Sequence, residues 1–395
     1  MPENKVQELY ENLCGLCVFR DVLTRPLFSR FLDYAAACGF LQKRMAYGAF
    51  VNEIYREGGD LTACVRRAVL EDENVYVAGV AANKPCDPHI AAAVEWELTV
   101  LSSFSRLKAQ DFCDDMGLEG PVAAFSSGEV ALAEEYRRRL SDIHKYGYGI
   151  FASYGMFRVR DTGEPRMEPI VNADPVTLDS FVGYREEREQ VLANTQAFVN
   201  GKPAANVLLY GDAGTGKSST VKAVANHFFS EGVRLIEIRK DQMSLLPMVM
   251  DKISANPLKF IIFIDDLSFN RNDDTFSMLK AALEGSASAK ASNAVIYATS
   301  NRRHIVRECF DEREGSDVHR NDTMQELLSL SARFGLTIRF EKPDKALYLA
   351  IVHELAQKKN VVMEPDRLDI AAEAFALRCG HRSARCAEQF VDSLL

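Results

Sequence analysis

From Lys5 to about Tyr146 apolar residues return at helical spacing, as in Phe28, Phe31, Leu32 and Ala35. Turn signals interrupt the pattern at Glu57-Gly58-Gly59-Asp60 and Lys84-Pro85-Cys86-Asp87-Pro88. This spacing predicts a mainly helical N-terminal domain over residues 1–147. The character changes between Gly147 and Ala173, where GIFASYGMFRVRD alternates apolar and polar positions and DTGEP follows as a turn. A strand pair serving as a connector over 148–173 is the expectation there. Beyond Asp174 come five short apolar runs: VLLY (207–210), RLIEI (234–238), FIIFI (260–264), AVIYA (294–298) and LTIRF (336–340). Helix-length segments separate them. Continuous apolar strands joined by helical crossovers indicate a parallel sheet covered on both faces, so residues 174–342 are read as a five-stranded α/β core. Three helical stretches after Pro343 predict a helical lid over 343–395. The charged run DEREGSDVHRNDTMQE, at 311–326, reads as a solvated loop before a helix.

The first of those strands leads into the candidate chemistry. Gly211-Asp212-Ala213-Gly214-Thr215-Gly216-Lys217-Ser218 fits G-x-x-x-x-G-K-[ST], directly after an apolar strand and before an amphipathic segment that opens at Ser219. Glycines let such a loop wrap close to phosphate oxygens, while successive N–H groups and the helix N-terminus supply positive potential. Lys217 is expected to reach the β- and γ-phosphates, and Ser218 to ligate magnesium. About fifty residues later, FIIFI is followed by Asp265-Asp266, the form in which a buried strand delivers acids beside the phosphates. Asp265 is expected to hold the magnesium and Asp266 to orient the attacking water. A strand ending in two carboxylates is by itself equally often a polar turn; its position after the phosphate loop favours the functional reading. ATP and magnesium are the implied cofactors.

The ordered series in residues 174–395 resembles the AAA+ ATPase superfamily, a P-loop NTPase class, and its wording is similar to the bacterial DUF815 family within it. Leu178-Asp179-Ser180-Phe181-Val182-Gly183-Tyr184 is similar to the segment that lines the adenine pocket, which implies Val182, Gly183 and Tyr184 as nucleotide contacts. Tyr297-Ala298-Thr299-Ser300-Asn301 resembles the sensor strand, with Asn301 as the implied polar sensor and Thr299 second. Leu330-Ser331-Ala332-Arg333-Phe334-Gly335 resembles the segment that carries an arginine finger into a neighbouring subunit, implying Arg333 and a homo-oligomer. Ser383-Ala384-Arg385 resembles the second sensor in the lid, with Arg385 ahead of Arg382. The likeness says nothing about the first 147 residues. Two departures stand out. Most family members carry glutamate where Asp266 stands, so slow hydrolysis is one expectation. The segment Asp241-Gln242-Met243-Ser244-Leu245-Leu246-Pro247 lacks the aromatic-glycine pore loop of protein-threading members.

Composition narrows the partners. At 395 residues with 47% hydrophobic and 26% charged positions the chain is an ordinary folded protein, and its net charge of −9 argues against a generic nucleic-acid coat, leaving room only for a local basic patch. Nine scattered cysteines read as reduced thiols, and there is neither a signal-peptide pattern nor an apolar run long enough to span a bilayer, so a cytoplasmic location without membrane is expected. Cys14-Gly15-Leu16-Cys17 has no second half of a zinc site in the N-terminal domain and is expected to be two buried thiols on a helix. Asn83-Lys84-Pro85-Cys86 departs from the guanine-reading motif at its last position and precedes the phosphate loop, so GTP is not supported. Arg137-Arg138-Arg139 reads as a solvated helix face, with an acidic docking partner as the alternative. The function expected is an AAA+ ATPase that remodels or loads an unidentified macromolecular partner, engaged by the N-terminal domain. A nucleotide-gated adaptor or loader with slow hydrolysis, with DNA among its candidate partners, is the rival. A monomeric small-molecule kinase leaves the lid and Arg333 without a role.

Overall fold

The computed structural model describes residues 4–120, 122–161, 163–267, 279, 283, 292–301 and 333–395. The chain divides into two compact units, Met1–Ser153 and Tyr154–Leu395. In the first, nine α-helices occur among the described residues: α1 (Lys5–Cys14), α2 (Pro26–Ala36), α3 (Phe40–Arg56), α4 (Leu61–Leu70), α5 (Val75–Ala81), α6 (Pro88–Ser105), α7 (Ala109–Met116), α8 (Leu132–Ser141) and α9 (Ile143–Tyr146). Side-chain caps start several of them: Asn4, Asp60, Asn74 and Asp87 each accept from a backbone N–H of the first turn. Their apolar faces meet in an aromatic core, in which Phe31 packs against Phe50, Phe104 and Phe112 at centroid separations of 4.7 to 6.3 Å.

The loop after α1 is held by a buried carboxylate: Glu97 on α6 accepts from the N–H groups of Cys17, Val18 and Phe19. That loop corrects one expectation. Cys14 and Cys17 are both exposed, because Leu13 and Leu16 take the inward positions of this stretch. The arginine run is not simply solvated either. Arg137 pairs with Glu95 at 3.0 Å, and Arg139 is paired with Glu135 and lies over the Tyr146 ring.

The second unit is built on a seven-stranded sheet in the order β2-β1-β4-β5-β6-β3-β7. Its strands are β1 (Met156–Asp161), β2 (Pro165–Pro169), β3 (Val207–Gly211), β4 (Val233–Glu237), β5 (Lys259–Ile264), β6 (Ala294–Ser300) and β7 (Leu336–Phe340). The expected five strands are the parallel core β3 to β7; the sheet has two more. β1 adds parallel to β4, with Phe157 opposite Ile236, and β2 folds back antiparallel on β1. The reason is burial: Met156, Phe157 and Val159 are inside while Arg158 and Arg160 face out, so the hairpin completes the sheet instead of bridging two bodies. Pro165 and Pro169 bound the outer strand β2 and blunt that edge against further pairing.

Helices α10 (Arg185–Val199), α11 (Lys217–His227) and α12 (Leu246–Ser254) cover the sheet, and α13 (Lys345–Lys358), α14 (Pro365–Cys379) and α15 (Ala384–Asp392) form the lid. The lid has its own core of Tyr348, Ile351, Val352, Leu368, Ala372 and Phe390 among others. The charged run 311–326 and residues 330–332 ahead of Arg333 lie outside the described residues. None of the helices among the described residues is long and apolar enough to cross a membrane.

Candidate nucleotide site

β3 lies between β6 and β7, and the loop at its C-terminal end lies against the strands' ends and the lid. Gly211 closes β3 with φ 135°, and a Cβ there would lie 2.0 Å from the Phe340 carbonyl oxygen, so no side chain is tolerated. Gly214 and Gly216 also take positive φ, and α11 begins at the next residue, Lys217. Lys217 is only 4% exposed. Its Nζ turns back over the loop and donates to the carbonyls of Asp212 (2.6 Å) and Gly211 (3.3 Å). Desolvation lowers its pKa, against which Asp212, Asp265 and Asp266 act as nearby negative charges. Thr215 Oγ1 donates to the Asp212 carbonyl at 2.9 Å, and the Asp212 carboxylate accepts from Lys342 N–H at 2.9 Å, tying the loop to the segment that enters the lid. Ala213 is exposed at the loop tip, and Ser219 is half-buried on α11.

The acids meet this loop from β5. Ser218 Oγ donates to Asp265 Oδ1 at 2.5 Å, so the two expected magnesium ligands are in contact. A hydroxyl and a carboxylate are the hard oxygen donors that magnesium takes, usually one or two from protein with phosphates and water completing the octahedron. The residues present therefore fit the ion. Asp266 adopts φ 52°, a left-handed conformation uncommon for a residue other than glycine. Its carboxylate accepts from Asn301 Nδ2 at 2.8 Å, which brings the expected water-orienting acid and sensor together. Thr299 is directed elsewhere, with its hydroxyl on Asp265 Oδ1.

On the lid side, Arg385 N–H donates to the Gly214 carbonyl at 3.2 Å, and a Cβ on Gly214 would meet Ser383 Oγ and Arg385 Cβ at 3.1 and 3.4 Å. The first turn of α15 therefore sits on the glycine-rich loop, and Arg385 is among the charges that Lys217 feels. Arg382, the second choice, makes a bidentate pair with Glu373 of α14 at 2.9 and 2.7 Å. Val182 packs against the lid core, and Gly183 lies under Leu347 and Ile351 of α13. The Tyr184 ring is buried against Phe340, and its hydroxyl donates to the Glu341 carbonyl at 2.6 Å, so its side chain faces the core. Arg333 is half-buried, just ahead of the sheet-edge strand β7.

The family model described as "Protein of unknown function (DUF815)" matches residues 152–395. The chain belongs to the DUF815 family. It is also 25% identical over 201 residues to the 26S proteasome regulatory subunit 6B homolog of Dictyostelium discoideum, covering 47% of this chain and 46% of that protein. To proteasome-activating nucleotidase 2 of Haloferax volcanii it is 27% identical over 222 residues, covering 52% and 51%. This DUF815 chain thus spans about half the length of the curated relatives it matches. Among solved structures it is similar to replication initiator DnaA bound to AMPPCP and single-stranded DNA (TM-score 0.40, 16% identity, 56% of this chain and 66% of that one). A second is the Thermotoga maritima RuvB Holliday junction branch migration motor (TM-score 0.32, 14% identity, 56% and 71%). The fold of this family member is mixed α/β, with a mainly parallel sheet of seven strands.

Two contacts of the DUF815 site escape sequence reasoning. Phe181 lies 3.8 Å from where a Cβ on Gly216 would stand, with Arg188 over its ring at 5.2 Å; its only signal was an aromatic ahead of Val182-Gly183. The Asp212 to Lys342 contact spans 130 residues and has no local signature.

Proposed function

We propose that this DUF815 chain binds ATP with magnesium at the loop Gly211–Ser219, hydrolyses it, and uses the change to remodel or load a macromolecular partner engaged by the N-terminal unit. The observation that carries the reading is convergence: Lys217, the Ser218–Asp265 pair and the first turn of α15 with Arg385 all meet at one glycine-rich loop. Lys217 supplies a point charge to the β- and γ-phosphates. Ser218 and Asp265 hold magnesium, which when bound neutralises phosphate charge. Val182 and Gly183 line the base side beneath α13, and Tyr184 supports them from the core. Asp266 orients the attacking water with Asn301 beside it, and Arg385 answers the state of the nucleotide from the lid. Arg333 acts in trans on a neighbouring copy, so the working form is a homo-oligomer in the cytoplasm.

A specific observation favours the adaptor or loader variant with slow hydrolysis over a threading motor. Gln242 Nε2 donates to the Val159 carbonyl at 2.9 Å and Met243 is 1% exposed, so the stretch after β4 is folded down against β1. A loop that grips a translocating chain needs to project. The net charge of −9 keeps nucleic acid the less favoured partner.

The test is complementation. Lys217→Ala is expected to lose ATP binding in calorimetry. Arg333→Ala is expected to bind ATP almost normally and to lose about 10³-fold or more in hydrolysis. Mixing the two restores part of the activity, because an intact finger on the Lys217→Ala subunit serves the intact pocket of the other. Unchanged affinity in Lys217→Ala sinks the ATP reading. An inactive mixture whose light scattering shows mixed oligomers sinks the trans role of Arg333.

A further inference from the structure

Thr299 is 2% exposed on β6, one residue beyond Ala298, which stands opposite Ile264 in the parallel pairing with β5. It therefore lies beside the acids that follow β5. Its hydroxyl has two partners: it donates to Asp265 Oδ1 at 2.5 Å and accepts from Asp266 N–H at 3.0 Å. Its carbonyl accepts from Leu267 N–H at 2.7 Å. One residue thus grips three in succession. A phosphate sensor needs its hydroxyl available to the nucleotide, and here the proton and a lone pair are both committed to the acid segment.

Two features need this grip. Asp266 sits in the left-handed region, which is uncommon for a residue other than glycine and persists where the surroundings hold it. Among the described residues Asp265 Oδ1 otherwise accepts a side-chain proton only from Ser218, itself a candidate magnesium ligand, so that contact is not available to orient the carboxylate once the metal is held.

We infer that Thr299 is a positioning residue, which fixes the Asp265 carboxylate and the Asp265–Asp266 peptide in the orientation that magnesium–nucleotide binding requires. The inference rests on the ATP reading above. It is tested by titrating ATP into the full chain with and without magnesium, alongside turnover, for Thr299→Val and Thr299→Ser. Thr299→Val keeps the shape and removes the hydroxyl; Thr299→Ser keeps the hydroxyl. The valine variant is expected to lose about tenfold in affinity with magnesium, little without it, and to turn over more slowly. The serine variant is expected to recover both to within about threefold. Should Thr299→Val not fold, Thr299→Ala is measured in its place with the same expectation. Affinity with magnesium equal to wild type, an equal loss with and without the metal, or failure of serine to rescue each overturns the role of Thr299. Wild type that binds no ATP with magnesium overturns the functional reading itself, a result distinguishable from the others.

Discussion

The side-chain amide of Asn301 donates to Asp266 Oδ1 across 2.8 Å, joining the end of β6 to the second acid after β5. Asp266 is exposed and Asp265 half-buried, so the two neighbouring carboxylates face different surroundings. Asp266→Asn is expected to bind ATP with near wild-type affinity and to hydrolyse it about 10²-fold more slowly, since a positioned acid or base typically contributes that much or more. Single-turnover hydrolysis beside calorimetry checks this. Equal turnover in variant and wild type removes Asp266 from the mechanism.

The two lid arginines separate by partner. Arg385 lies in the first turn of α15 on the glycine-rich loop, whereas Arg382 Nε and Nη2 are both engaged by Glu373. Arg385→Ala is expected to weaken ATP binding about tenfold, the loss of one charge-assisted contact. Arg382→Ala leaves affinity unchanged and slightly lowers the melting temperature. The reverse pattern in calorimetry would reassign the sensor.

Gly211 is constrained by the strand beside it. A Cβ would stand 2.0 Å from the Phe340 carbonyl oxygen, and φ at 135° is itself unfavourable for a side chain. Gly211→Ala is expected to destabilise the second unit by about 2 kcal/mol or more, because the obstacle is backbone that cannot rotate away. A melting temperature within one degree of wild type, about a quarter of that effect or less, contradicts the close approach.

The stability of the N-terminal unit depends on pH through Asp72. Burial pushes the Asp72 carboxyl up to about 6 from 3.8, partly offset by its hydrogen bond from Asn74 and by Arg25, and reinforced by Asp21 and Glu73. The folded pKa is raised, so the fold binds this proton more tightly than the unfolded chain. That stabilisation is fully present below about 3.8 and is lost as pH rises through about 6. Asp72→Asn, which retains an acceptor for the Asn74 amide, is expected to flatten the fall in melting temperature between these values and to raise it at pH 8. Scanning calorimetry of the full chain shows it; an unchanged pH profile refutes it.

Sequence alone determined the parts of this protein that depend on near neighbours. The glycine-rich turn between β3 and α11 was legible because its glycines, lysine and serine are consecutive in the chain, and the five core strands because a doubly covered strand is apolar throughout. The lid helices were legible by the same periodicity, since each packs one face. What sequence left open depends on which distant segments meet. The hairpin of β1 and β2 was read as a connector, since alternation reveals a half-buried strand but not its partner; only the pairing of Phe157 with Ile236 makes it part of the sheet. Cys14 and Cys17 were expected inside, yet Leu13 and Leu16 won the inward positions when α6 supplied Glu97 to hold the loop. Arg382 and Arg385 were both candidates until Glu373, nine residues before Arg382, claimed one of them. Thr299 and Asn301 likewise share one strand end, and the direction of two side chains divided their partners between Asp265 and Asp266. Local chemistry writes a motif into consecutive residues, but an ion pair or a strand register is a choice among partners far apart in the chain, and only the packed fold makes that choice.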